Sequence, residues 1–197
     1  MATATVVKKP KVVYGLKNVY YAILTIADDG SVSYGKPIKF PGQVSLGLTP
    51  DGDITEFYAD DCVYYSTDNN DGYTGDIETA LVPDEFLENV FGFEKDSDGY
   101  LYEVAGVDTK HIALMGEFAT DAVAKRICLY DVLCRRPDIS RKTREKTPTP
   151  QTQKMSLTAR PIEINGKKYV KTSTTPDVSA TNYDKFFDAV KLPGKAA

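Results

Sequence analysis

The sequence predicts a mainly β chain with one clear internal helix, and three observations carry that expectation. Residues 19–26 (VYYAILTI) and 127–133 (ICLYDVL) are apolar on both alternating faces, the pattern of strands covered on two sides. Shorter runs rich in β-branched and aromatic residues follow one another, separated by Asp, Asn, Gly and Pro. Helical periodicity is confined to residues 83–92 and 181–190.

Taken in order, the strand at 19–26 ends at Asp28, Asp29 and Gly30, a hairpin turn that leads into a strand at 31–34. Strands follow at 44–48, 54–58, 62–66 and 73–81, each set off by turn residues. The helix opens at Pro83, which lacks the N–H that a first turn leaves unpaired. Asp84 and Glu85 then place carboxylates at its positive end, and Gly92 stops it. Strands are expected next at 100–104, beside the Asp98-Gly99 turn, and at 111–119 and 126–133. Residues 135–153 (RRPDISRKTREKTPTPQTQ) combine dense positive charge with prolines and few apolar side chains, and read as a long loop. Strands at 155–158 and 168–174 precede a helix at 181–190, whose Tyr183, Phe186, Phe187 and Val190 form a stripe that packs on the sheet.

At 197 residues the chain suits a single domain, 1–197, with an N-terminal arm (1–12), the basic loop (135–153) and a C-terminal helical segment (179–197). No apolar run approaches the ~20 residues of a membrane helix. Residues 1–10 lack the apolar core of a secretory signal, so residence in the cytosol is the expectation. Cys62, Cys128 and Cys134 are odd in number and not closely paired, which argues against a disulfide framework and for burial as small apolar residues.

Charge is distributed unevenly. Residues 51–103 hold sixteen acidic side chains and one basic one, Lys95, a net of −15, while residues 1–50, 104–150 and 151–197 carry +4, +3 and +4. The overall charge of −4 therefore conceals a dipolar chain, suited to meeting copies of itself with an acidic surface against a basic one.

Catalytic and metal signatures are sparse. There is one histidine, His111, inside a strand-like segment and without a nucleophile motif, so a structural role is expected for it. The cysteine spacing argues against zinc, and no glycine-rich phosphate or dinucleotide loop occurs. Thr67, Asn69, Asp71, Gly72 and Glu78 fall at EF-hand positions, but threonine replaces the first aspartate and the flanks read as strands, so a hairpin tip explains the same residues. No cofactor and no metal are expected. The basic loop could contact phosphates, yet it lacks interleaved aromatics in an acidic chain, which favours a charged protein-docking arm.

Successive blocks of the chain resemble the major tail tube proteins of long-tailed, non-contractile bacteriophages. They are YGLKNVYYA from Tyr14, PGQVSLGLTPDGD from Pro41, FYADD from Phe57, NNDGYTGDIETALVPDEF from Asn69 and LTARP from Leu157. The resemblance implies the tail tube protein fold, a β-sandwich or partial barrel with one flanking helix, a C-terminal helix and extended arms or loops. It also implies a non-enzymatic building block of the virion tail, assembled in the host cytoplasm. Six copies would close into rings that stack into a tube, started at tail-tip or distal tail proteins, measured by a tape-measure protein and closed by a tail terminator. DNA would pass through without sequence-specific binding, and no membrane insertion is implied.

Two expectations follow for the charges. Acidic residues among Asp51, Asp53, Glu56, Asp60, Asp61, Asp68, Asp71, Asp76 and Glu78 would face the lumen and repel the phosphates of DNA in transit. Lys8, Lys9 and Lys11 of the arm, and Arg135, Arg136, Arg141, Lys142, Arg144 and Lys146 of the loop, would meet acidic surfaces on a neighbouring subunit or ring. Two other classes fit parts of the chain: a monomeric β-rich ligand-binding or adhesion module using the thirteen tyrosines, and a hydrolase using two of the clustered carboxylates. The absence of tryptophan, a common sugar-stacking residue, weakens both.

Overall fold

The strands that are apolar on both faces become the middle of a large open sheet with cover on two sides. The computed structural model describes residues 9–143 and 150–194. Along the chain run β1 (Val13–Ile26), β2 (Val32–Tyr34), β3 (Ile38–Lys39), β4 (Gln43–Asp51), β5 (Ile54–Ala59), β6 (Cys62–Asp68) and β7 (Gly72–Thr79). Helix α1 (Asp84–Phe91) follows, then β8 (Glu94–Lys95), β9 (Leu101–Tyr102), β10 (Ile112–Thr120) and β11 (Lys125–Cys134). The last elements are β12 (Gln153–Arg160), β13 (Ile162–Ile164), β14 (Lys167–Tyr169), β15 (Lys171–Ser173), α2 (Ala180–Asp184) and a 3-10 turn (Lys185–Phe187). The main sheet has the order β2-β1-β10-β11-β12-β7-β4, with β3 added to β1 and β15 to β11. Its pairings are antiparallel and it does not close into a barrel, an architecture consistent with a β-sandwich-like fold.

Alternation along the central strands divides the core in two. Tyr21, Ile112, Leu114 and Leu129 point to one face and Ala22, Ala113, Met115, Cys128 and Tyr130 to the other, and all of them are buried. The first face is covered by α1 through an aromatic cluster. Phe86 stacks on Phe40 with centroids 4.4 Å apart and meets Tyr21 and Phe91 edge-on at 4.8 and 5.7 Å. The helix forms as its sequence requires: Pro83 enters extended, Asp84 and Glu85 occupy the first turn, and Gly92 leaves in the left-handed region at φ 70°.

The second face is covered by the β13–β14 hairpin and the C-terminal segment. Phe186 is buried there, Phe187 stacks on Tyr20 at 4.7 Å, and the Tyr130 hydroxyl donates to the Lys191 carbonyl at 2.9 Å. One charged cluster fastens the segment. Arg126 lies 3.8 Å from the Tyr183 ring centroid and 4.8 Å from that of Phe187, and it donates to the Tyr183 carbonyl and, at 2.7 Å, to Glu117. A bulge in β1, with Asn18 at φ 51°, brings Lys17 Nζ within 3.3 Å and the Asn18 amide within 3.4 Å of the same carboxylate. Burial pushes the Glu117 carboxyl up, but hydrogen bonds and charge from Arg126 and Lys17 outweigh it and hold the group below its ordinary value.

Several expectations are corrected. The strand at 100–104 is only Leu101–Tyr102 paired with β8, because the Asp96 carboxylate ties the turn by accepting from the N–H groups of Asp98 and Tyr100 and from the Tyr102 hydroxyl. The strand at 168–174 is two strands, β14 folding back on β13 and β15 joining β11. The helix at 181–190 shortens to α2 and the 3-10 turn, a tighter path that keeps Tyr183, Phe186 and Phe187 against the sheet. The basic loop begins later than Arg135, since Arg135 and Asp138 still donate to the Ser156 and Lys154 carbonyls at 2.8 and 3.0 Å, and Gln153 already opens β12. Cys128 and Cys134 are buried, with burial pushing both thiols up to about 12, but Cys62 is exposed.

Phe86→Ala removes the centre of the aromatic cluster and is expected to cost about 3–5 kcal/mol, read as a lower denaturant midpoint. Arg126→Met strands the Glu117 carboxylate and is expected to cost about 3 kcal/mol. The contribution of Glu117 is present above the ordinary glutamate range and is lost as pH falls through its depressed value, so the variant's deficit should narrow in acid, as pH-dependent unfolding would show.

Candidate functional site

β4 and β7 do not stop where the sheet stops. Beyond Asp51 and Gly72 the same two chain segments continue as the β5–β6 hairpin, and the join is kept by Asp71 N–H donating to Asp51 O at 2.9 Å and Asn69 N–H to Asp53 O at 3.2 Å. Gly52 permits this close passage, because a Cβ there would lie 1.8 Å from the Asn69 carbonyl oxygen. Asp60 and Asp61, both at positive φ (52° and 60°), make the two-residue turn at the tip.

Among the described residues the hairpin pairs only with itself, and its residues from Ile54 to Tyr58 and from Cys62 to Asp68 are exposed. Its sequence nevertheless has the aromatic and β-branched content of a half-buried strand. Phe57 lies opposite Tyr65, and Phe57, Tyr64 and Tyr65 are 61%, 72% and 61% exposed. A lone two-stranded ribbon is marginal in water and needs a surface to lean on. A run of large apolar side chains with nothing beneath it is the signature of an interaction site.

The nine acidic candidates separate into two groups. Asp51, Asp53, Glu56, Asp60, Asp61, Asp68 and Asp71 lie along the ribbon, where residues 51–71 contain no lysine or arginine. Glu56 accepts from the Tyr58 hydroxyl at 2.7 Å, which holds that phenol above its ordinary value, and Asp71 accepts from the Asn69 amide at 2.8 and 2.9 Å. Asp76 and Glu78 lie on the main sheet, on the polar face of β7. Asp76 meets Lys154 and the Ser156 hydroxyl, both at 2.8 Å, and Glu78 accepts from Ser45 at 3.2 Å and from Thr152. Hydrogen bonding from Lys154 and then Ser156 holds the Asp76 carboxyl below its ordinary value. The residues at EF-hand positions are thereby divided between β6, the bend and β7.

The basic candidates are equally divided. Lys9 and Lys11 are exposed, and the Lys11 N–H donates to the Asp121 carboxylate at 2.7 Å, which pins the end of the arm, next to β1, to the β10–β11 turn. Arg136 already pairs with Glu103 at 3.1 Å. Arg141 and Lys142 are exposed, and Lys142 exchanges backbone–side-chain bonds with Gln151 at 2.9 and 3.2 Å, closing the base of the loop. Lys8, Arg144 and Lys146 lie outside the described residues. Sequence reading missed Lys154 as the partner of Asp76, a diagonal contact that depends on β12 lying beside β7 with Lys154 in register with Glu78 and Ser156 with Asp76. His111 Nδ1 lies 2.5 Å from Asp131 Oδ1 and bridges β10 and β11.

No family model and no curated protein matches the chain. Solved structures do. A chain of the anti-feeding prophage baseplate, determined by cryo-EM with six-fold symmetrisation, is similar with TM-score 0.44 and 7% identity, covering 87% of this chain and 99% of that one. A chain of the cap that terminates the anti-feeding prophage tube is similar with TM-score 0.44 and 10% identity, covering 88% and 99%. Likeness at this level assigns no function.

Lys154→Met removes the main partner of Asp76, so the Asp76 carboxyl should titrate closer to its ordinary 3.8, as followed by NMR of the side-chain carbon. Arg136→Ala, at an exposed pair, should change stability by less than about 1 kcal/mol in denaturant unfolding.

Proposed function

We propose that the chain is a structural subunit of a bacteriophage tail tube, six copies closing into a ring and rings stacking into the conduit through which DNA leaves the virion. The observation that carries the reading is the β5–β6 ribbon, which exposes Phe57, Tyr64 and Tyr65 and has no core of its own. Such a ribbon is completed by another protein surface, and a second copy of the chain supplies one whose charge matches. The ribbon carries seven carboxylates and no basic residue, while Lys9, Lys11, Arg141 and Lys142 stand exposed elsewhere on the same molecule. An acidic patch meeting a basic one is a head-to-tail contact, the kind that generates rings and filaments. The ordered sequence blocks resembling tail tube proteins support the same reading.

β4 is the last strand of the main sheet, and its outer backbone groups offer an edge that ring closure would occupy. In this reading the polar face of β12, β7 and β4 lines the channel. Asp76 and Glu78 present carboxylates held in place by Lys154, Ser156, Ser45 and Thr152. Lys154 on this face is tied to Asp76, and the short polar neighbours offer no ring on which bases would stack, so DNA would slide past them. The subunit has no catalytic task. Its partners would be its own copies and the tape-measure, tail-tip and terminator proteins, and its place the virion tail.

Negative-stain electron microscopy of concentrated protein, with light scattering to count subunits, tests the reading. Hollow rings or tubes are the expected result. The double variant Phe57→Ser/Tyr65→Ser should keep the wild-type unfolding midpoint, because neither side chain is buried in the subunit, and should lose the assemblies. Assemblies that survive it would remove the ribbon from the interface. A glycan or protein ligand bound by a strictly monomeric chain would instead favour the adhesion module.

A further inference from the structure

We propose that Asn165 is a site of spontaneous covalent change, and that its conversion loosens the C-terminal segment. Of the six asparagines in the chain, Asn165 is the one followed by glycine. Together with Gly166 it makes the two-residue turn between β13 and β14, both residues at positive φ (54° and 74°), and both are exposed. Space around the turn is open, since a Cβ on Gly166 would meet nothing within 4 Å. Each of the other asparagines precedes a residue with a side chain, which crowds the approach of its backbone nitrogen.

The chemistry is a hydrolysis that needs water alone. The Gly166 backbone nitrogen attacks the Asn165 side-chain amide carbon and loses its proton, a new N–C bond closes a five-membered succinimide, and the side-chain nitrogen departs as ammonia. Water then opens the ring at one carbonyl or the other, leaving aspartate or isoaspartate. One water is consumed, one ammonia is released, and nothing is oxidised or reduced.

What makes the site consequential is the atom that leaves. Asn165 Nδ2 donates to the Pro193 carbonyl at 3.3 Å, so it helps to hold the end of the segment that covers the second face of the sheet. A carboxylate in its place has only acceptors to set against that carbonyl. Isoaspartate also inserts a methylene into the backbone of a turn whose register aligns Ile164 with Lys167 and Ile162 with Tyr169. Ile162 and Ile164 are buried beside Phe186, so the change reaches the core.

The test is incubation of the full chain at mildly alkaline pH in isotopically heavy water-oxygen, followed by peptide mapping and an isoaspartate methyl-transfer assay. Asn165 is expected to convert first, with uptake of one solvent oxygen. Conversion of Asn69 or Asn70 while Asn165 stays intact would overturn the site. Asn165→Gln, which keeps an amide but closes the ring poorly, should remain unmodified, and comparable conversion there would also count against it. Asn165→Asp fixes one product, and hydrogen exchange around Phe186 and Val190 should then quicken severalfold over wild type. Unchanged protection in that variant would overturn the loosening, whatever the outcome at the asparagine itself.

Discussion

β10 and β11 need cover on both faces, and the rest of the molecule is arranged to supply it. From Ile112 to Glu117 every residue of β10 is buried, so neither side of the sheet can face water at its centre. Such strands bury apolar area twice over, which makes them the strongest source of stability and also the greatest liability if one cover is lost. Helix α1 and its phenylalanines serve one face. The other depends on a short helix, a 3-10 turn and a hairpin, elements too small to stand alone, and here the Arg126 cluster replaces bulk with directed bonds. A buried carboxylate is tolerable at Glu117 because three donors reach it from β1 and β11.

Cover thins across the sheet. At β1, β10 and β11 both faces are dry, while at β12, β7 and β4 the second face carries Thr74, Asp76, Glu78, Lys154 and Ser156 and meets solvent. At the far end the ribbon of β5 and β6 has neither face covered. The molecule thus runs from a self-sufficient core to a part that is physically incomplete, and the proposed function follows from the incomplete end.

The two-sided strands were readable because seven or eight mostly apolar residues, rich in β-branched and aromatic side chains, are too short for a buried helix. Turns made by Asp28-Asp29-Gly30 and Asp60-Asp61 were readable from their residues, since backbone conformation there depends on local chemistry. What was not readable depended on distant partners. Residues 168–174 form one apolar-polar run, and only the return of β14 onto β13 splits it; the Asn165-Gly166 pair was the signal for that return. Helical spacing at 181–190 was real, but stacking of Arg126 on Tyr183 and Phe187 shortened the helix that it suggested. The ribbon shows the limit most clearly: alternating aromatic residues predicted strands correctly and could not say that the described residues of the subunit leave them uncovered. For the same reason the nine acidic candidates looked like one group in the sequence and are two in space.

The turn at the ribbon's tip has a further consequence. At ~3.3 Å per residue, six residues carry Asp60 and Asp61 about 20 Å past the sheet. Two molecules drifting together tip to tip bring four carboxylates into proximity and repel, whereas a tip approaching the Arg141 and Lys142 end of another molecule is drawn in. Encounters are therefore sorted by direction before any surface touches. In the proposed assembly, growth would acquire a polarity, one end of a chain of subunits differing from the other, from the sign of two side chains at the end of a long arm.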